Sequence, residues 1–205
     1  MSSKFLTSIF DASVQLSSLQ RYSMTKLVNP ESVLEHQGSV AMMGVMLGIK
    51  LNSFGEDFDI GLIALKSSLH DIDEIGTGDI PRPTKYAKDS ITKDLNNLAK
   101  ASVLNIFDSI EIQDAYDIWL FSKFGKNGKV VSLCDGLAVL CKVWQETCLF
   151  GNKVIIGHAG PVQEMIDSKF SDMIKECKTE DGIMFIGSLM VEANSIIESI
   201  NSGKA

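Results

Sequence analysis

The chain has 205 residues, 45% of them hydrophobic and 22% charged, with a formal net charge of −7. That length supports a real core within one domain. The acidic balance excludes a non-specific nucleic-acid binder, whose surface would carry a basic face.

Residues 1–22 include Asp11 and no unbroken apolar stretch, so no signal peptide is expected. No run approaches the ~20 apolar residues that span a bilayer. The four cysteines form no C-x-x-C pair, and Cys134, Cys141 and Cys148 recur along one helical stripe as buried, reduced packing residues. A cytoplasmic protein without a membrane partner is the expectation.

Taken in order, the chain reads as helix after helix, with no strand pattern and no internal repeat. Phe5, Leu6, Ile9, Phe10, Val14 and Leu16 predict a packed amphipathic helix over 3–20, ending near Arg21. An extended link, Tyr22 to Pro30, follows. Ser32 with Glu35 three residues on forms a capping box, opening a helix that runs to about Leu51. His36 falls in its first turn, and Met42, Met43 and Met46 read as core filler. Asp57 or Asp59 begins a third helix that carries Ile60, Leu62, Ile63, Leu65 and Leu69 toward His70.

Further helices are predicted over 88–107 and 112–123, the latter rich in aromatics. Gly125, Gly128 and the lysines between them predict a turn before a helix from Lys129 to about Phe150. Helices near 160–176 and 182–200 follow, with a frayed tail over 201–205. The fold class is all-α. One domain over 1–205 is expected, with its motif region at 18–150 and added helices over 151–200.

The stretch SLHDIDEIGTGDIPRPTKY, residues 68–86, gathers His70, Asp71, Asp73, Glu74 and Asp79 beside a Leu-rich segment. On a helix His70, Asp71 and Glu74 project toward one side, because residues three and four apart are neighbours. His70 and Asp71 can then share one ion, Glu74 can reach a water on it, and Asp73 points away to solvent. His36 is an imidazole that no packing argument requires. Asp135 lies inside the apolar run VVSLCDGLAVL, where an unpaired carboxylate costs several kcal/mol. Two imidazoles and two carboxylates suit a borderline divalent metal, with cobalt, manganese or zinc foremost, better than calcium or magnesium. His158, in GHAGP, has no ligand partner nearby and reads as structural or exposed.

The order His36, His70-Asp71, Asp135 resembles the HD-domain phosphohydrolase superfamily, and most closely the bacterial 5′-deoxynucleotidases of the YfbR type. The resemblance rests on Arg21-Tyr22 ahead of Glu35-His36, on LHDIDEIGTGDIPRPTKY, and on Leu133-Cys134-Asp135 heading a Leu-rich helix. It implies a single-domain HD-type helical bundle and a metal-dependent phosphohydrolase acting on deoxyribonucleoside 5′-monophosphates. His36, His70, Asp71 and Asp135 correspond to the metal ligands, Glu74 to the catalytic carboxylate and Asp79 to a second catalytic or sugar-contacting acid. Arg21 corresponds to the arginine that holds the phosphate, with Lys85 and Arg82 as further cations for substrate. Tyr22 stands where the family has tryptophan against the sugar, so a deoxy preference is expected through a smaller ring. Arg82 stands where a small or neutral residue is usual, which brings in the related phage dATP triphosphohydrolases as an alternative. A non-catalytic HD sensing module is a second alternative. A homo-oligomer, dimeric or larger, is implied as well.

Overall fold

A computed structural model of the chain describes residues 5–202, apart from the side chains of Arg82, His158 and Ala159. The described residues form helices and turns with no strand; one isolated antiparallel bridge joins Gln20 to Ser32. Helix α1 (Phe5–Ser18) leads into that bridge, where Arg21 N–H donates to Glu31 O at 2.8 Å and Val33 N–H to Leu19 O at 2.9 Å. Helix α2 (Val33–Asn52) opens on the expected capping box: Ser32 Oγ accepts from Glu35 N–H, and Glu35 Oε2 accepts from Ser32 N–H. These reciprocal bonds satisfy backbone donors that a helix start leaves open.

Asp59 caps α3 (Ile60–Leu69) by accepting from Leu62 N–H at 2.9 Å. The helix stops at Leu69, and residues 70–73 turn into the short α4 (Glu74–Thr77), followed by α5 (Arg82–Lys85). Next come α6 (Asp89–Ile110) and α7 (Ala115–Leu120). Helix α8 (Gly125–Trp144) passes into a π-helical turn (Gln145–Leu149), then a 3-10 turn (Lys153–His158), α9 (Ala159–Glu176) and α10 (Glu180–Ser202).

Two apolar cores share these helices. The larger gathers residues of α2, α3, α8, α9 and α10, including Leu51, Ile63, Leu133, Phe170 and Ile197. The smaller joins Ile72, Ala99, Val103, Phe107 and Trp119. The segment that begins at His70 runs between them.

Several expectations are corrected. The Gly125–Gly128 stretch is not a turn but the first turn of α8. A Cβ on Gly128 would stand 2.7 Å from Lys123 C and 2.9 Å from Ser122 O, so glycine there lets the helix close onto the preceding loop. The helix predicted to reach Phe150 ends at Trp144, where the wider π turn begins; Cys141 is exposed and Cys148 half-buried, so only Cys134 on that stripe is buried. Helix α1 buries only Leu16, leaving Leu6, Phe10 and Val14 exposed. Met42 and Met46 face outward, and only Met43 packs against the core.

The tail is helical through Ser202, and 203–205 lie outside the described residues. One membrane expectation also changes. Helix α10 is long and apolar enough to cross a bilayer by length and composition, with a mean hydropathy of 1.4, although Ile186, Ala193, Ile197 and Ile200 are buried in the larger core.

The close approach at Gly128 gives a test. Gly128→Ala must push the helix off rigid backbone atoms, and overpacking of that kind costs about 1–3 kcal/mol. A lower thermal melting midpoint than that of the parent protein is expected.

Candidate active site

His36 comes from the first turn of α2, His70 and Asp71 from the end of α3, and Asp135 from the middle of α8. The ligand atoms of His36, His70 and Asp71 lie within 4.8 Å of one another. His36 Nε2 is 3.2 Å from Asp135 Oδ1 and 3.7 Å from Asp71 Oδ2, so all four predicted residues converge.

The histidines show what this cluster is suited to hold. His70 Nδ1 lies 2.7 Å from Ser67 O, a carbonyl that can only accept, so Nδ1 carries the proton. Nε2 is then a bare lone pair. It is buried, lies 3.0 Å from Asp71 Oδ2, and has no hydrogen-bonding partner. With the neutral ring that ligates, two electron-pair donors face each other here, an arrangement that calls for a cation. Orientation of a ligating imidazole through its other nitrogen is how metal sites fix the tautomer. His36 has no exposed side-chain surface, and burial holds its pKa below the ordinary histidine value despite the bond to Asp135. The neutral form favoured by that shift is the one that ligates. The donor set of two imidazoles and two carboxylates therefore fits a divalent transition metal.

Lysines surround the carboxylates, and the sequence reading missed them. Lys123, between α7 and α8, places Nζ 2.8 Å from Asp135 Oδ2 and 3.8 Å from Asp71 Oδ1. Lys169 reaches in from α9, 3.5 Å from the same Asp135 oxygen, and donates to Ser132 O at 2.6 Å. Burial opposes charge on Asp135, yet Lys123 and the bond to His36 hold it well below the usual carboxylate range. Nothing in the local sequence around Lys123 or Lys169 marks either one. Asp135 stood out only because its run is apolar.

Glu74 opens α4 beside the cluster. Its Oε2 is buried without a hydrogen-bond partner. Burial, with Asp71 and Asp79 nearby, pushes its pKa up to about 9. Asp73 is not solvated as expected: it is half-buried and accepts from Trp119 Nε1–H at 3.0 Å, tying the motif to the smaller core. Gly76 lets α4 close onto α6, since a Cβ there would overlap the side chain of Ser102.

Arg21 and Tyr22 sit where the first link meets this motif. Arg21 Nη1 is 3.5 Å from Glu31 Oε2, and its guanidinium lies 5.4 Å from the centre of the Tyr22 ring. Burial opposes its charge, but Tyr22, Asp71, Glu31 and Asp135 together raise its pKa. Tyr22 adopts a left-handed backbone (φ 57°), a conformation that costs a non-glycine residue of order 1 kcal/mol or more. Asp79 Oδ2 holds it there by accepting Tyr22 N–H at 2.9 Å. The link is held from the other side by buried Glu146, which accepts from Val28 N–H and Asn29 N–H at 2.8 and 2.9 Å.

Lys85 does not join the histidine cluster. It lines a small cavity of about 30 Å³ with Asp73, Glu74, Thr77 and Asn96, room for roughly one water. The Arg82 side chain lies outside the described residues.

The comparisons with known proteins agree with this geometry. A family profile described as 5′-deoxynucleotidase YfbR-like matches residues 8–177. The 5′-deoxynucleotidase YfbR of Escherichia coli O127:H6 is 29% identical over 149 residues, covering 69% of this chain and 74% of that protein. Among solved structures, an HD-domain phosphohydrolase from Listeria innocua superposes with a TM-score of 0.65 at 20% identity, over 93% of this chain and 98% of its own. The HD phosphohydrolase DatZ of cyanophage S-2L, bound to dA and one catalytic zinc ion, superposes with a TM-score of 0.59 at 13% identity, over 92% and 96%. These likenesses establish an all-helical HD fold, and the profile, matched over most of the length, establishes that the chain belongs to the 5′-deoxynucleotidase YfbR-like family.

Proposed function

We propose that this metal-dependent phosphohydrolase converts deoxyribonucleoside 5′-monophosphates to deoxyribonucleosides and orthophosphate, with His36, His70, Asp71 and Asp135 holding the ion. The observation that carries the reading is the buried His70 lone pair facing Asp71 Oδ2 at 3.0 Å, with Glu74 beside it. When bound, a divalent ion supplies Lewis acidity at the phosphoryl group and a positive charge that favours ionised Glu74. Water attacks phosphorus, its oxygen forms the new P–O bond, and Glu74 takes its proton. The P–O5′ bond breaks, and Glu74 passes the proton it took from water to the 5′-oxygen, which leaves as the alcohol of the sugar. Arg21 holds the phosphoryl oxygens, a role that suits the fork of a guanidinium. The Tyr22 ring lies against the sugar, its backbone set by Asp79, and crowds a 2′-hydroxyl. Asp79 thereby positions the sugar contact. Lys85 is a further cation for the outer part of the substrate.

Similarity to named 5′-deoxynucleotidases favours the monophosphate over the triphosphate. A cytoplasmic location is supported by four free cysteines. A homo-oligomer is supported by the exposed apolar residues Leu6, Phe10 and Val14 of α1, and light scattering should return a mass above that of the 22.4 kDa monomer.

Product analysis on a panel of deoxynucleoside and nucleoside mono- and triphosphates tests the assignment. Orthophosphate from deoxynucleoside monophosphates is expected; tripolyphosphate from triphosphates would move the protein to the triphosphohydrolases. Identical behaviour of metal-stripped and metal-replete protein toward every ester would leave a non-catalytic module. Glu74→Gln should retain the metal and lose about 10²-fold or more in turnover, as removal of a general base does. Asp71→Ala should lose the metal with the activity.

Metal-free protein provides a pH test of Glu74. Its folded pKa, about 9, lies above the ordinary glutamate value of 4.5. The folded state therefore keeps a proton that the unfolded chain releases, and stability falls as pH rises from about 4.5 to about 9. Glu74→Gln removes that loss. Melting curves of the two chelated proteins should nearly coincide at pH 5, with the variant gaining on the parent toward pH 9.

A further inference from the structure

Lys123 is held by more than its carboxylate partners. Lys66, buried on α3, sends its ammonium into the loop that carries Lys123, donating to Phe121 O at 2.7 Å and Phe124 O at 2.9 Å. Ser122 N–H donates to Trp119 O at 3.0 Å, closing the turn from its other end. Gly128 completes the arrangement, since only glycine admits the first turn of α8 so close to the Ser122–Lys123 backbone. A buried lysine, a backbone turn and an obligatory glycine thus fix the backbone at one residue position. Desolvating the Lys66 ammonium opposes its charge and lowers its pKa, so the clamp carries a cost.

What is positioned is an ammonium with donors to spare. Lys123 makes one hydrogen bond, to Asp135 Oδ2, and stands 3.8 Å from Asp71. An ammonium has three donors. Its side chain is 35% exposed, against 15% for Asp71 and 16% for Asp135, so it sits at the open side of the cluster. Lys169, the other lysine on Asp135, is 16% exposed and tied to Ser132 O and Oγ, which fits a supporting position.

We infer that Lys123 is a second phosphate-binding residue of this site, donating to the non-bridging oxygens of the substrate's phosphoryl group alongside Arg21. The inference rests on the proposed phosphohydrolase reading and deepens it. An ammonium is a point donor that adapts to the oxygens as charge moves during transfer, whereas the guanidinium supplies a fixed fork. The rigid loop means that its direction is set before substrate arrives, so little ordering is needed at the moment of binding.

The test measures inorganic phosphate binding by calorimetry on cobalt-loaded protein, with bound metal measured by elemental analysis and fold by circular dichroism. Lys123→Met and Lys123→Gln keep most of the length of the side chain and remove its charge. Both should keep metal stoichiometry and weaken phosphate about ten- to a hundredfold, the range for losing a charged hydrogen bond. Lys123→Arg should restore most of that affinity. Unchanged phosphate affinity in folded, metal-loaded Lys123→Gln overturns the inference. Loss of metal together with phosphate also overturns it, because Lys123 would then act only by supporting Asp135. If the cobalt-loaded parent binds no phosphate and turns over no phosphate ester, the reading of the whole site falls. If the parent binds phosphate and the variants match it, only Lys123 is removed from it.

Discussion

The constraint that organises this molecule is the buried meeting of His70 Nε2 with Asp71 Oδ2, two lone pairs 3.0 Å apart with the proton of the imidazole committed to Ser67 O. In a low-dielectric interior such a contact is unfavourable unless positive charge lies between or beside its members. Two sources of charge are within reach: the lysines already present around Asp135, and a divalent ion that the four donors suit. The surrounding helices make sense as the means of holding these donors together against their repulsion. Helix α2 brings His36 on a capped first turn, and α8 brings Asp135 from a long helix seated in the larger core.

The same logic extends to the substrate-facing residues. Neither Arg21 nor Lys123 lies within a regular helix, and the connecting segment that carries each is held by a buried charged group. For the link that follows Arg21 the anchor is Glu146, which the π turn presents to Val28 N–H, Asn29 N–H and Asn152 Nδ2, with Lys142 at 3.1 Å. Those hydrogen bonds more than overcome its burial and hold its pKa at about 2. For Lys123 the anchor is Lys66. A buried charge satisfied by loop backbone fixes position more strictly than apolar contact does, because removing any partner leaves an uncompensated group. The π turn has a clear use here, since widening the helix after Trp144 is what brings Glu146 onto the link.

The longer helices, the capping box, a cap at Asp57 or Asp59 and the central motif were legible from the sequence because each depends on neighbours within a few residues; the short α4 and α5 were not. His36 and Asp135 were legible for a different reason: a titratable group in an apolar run needs an explanation, and the motif supplied one. The same argument applied to Lys66 in IGLIALKSSL and Lys142 in AVLCKVW would have flagged both clamps. Lys123 and Lys169 carried no such signal, since their significance arises only when α7, α8 and α9 come together. Gly128 was misread for a related reason. A glycine beside lysines looks like a turn, and only the proximity of the Ser122–Lys123 backbone shows why it lies in a helix. The error at Asp73 has the same origin, because Trp119 reaches it from 46 residues away. The exposed face of α1 shows the limit of periodicity, which locates an apolar stripe but not what covers it.

Charge arithmetic explains how a chain of net charge −7 can present a site for an anion. Without metal, the carboxylates of Asp71 and Asp135 are matched by the ammonium groups of Lys123 and Lys169, two against two. The cluster is then close to neutral, so the apo fold is not driven apart by its own acids. Glu74 adds no charge while it keeps its proton, and Arg21 adds one positive charge. A divalent ion entering this set adds two more, which turns it electropositive even with Glu31 paired to Arg21. That surplus is matched to a phosphate dianion and is confined to a few ångströms, where the distant acidic surface is screened. The lysines therefore carry two duties in sequence: they neutralise the acids before the ion binds, and they leave the site electropositive afterwards.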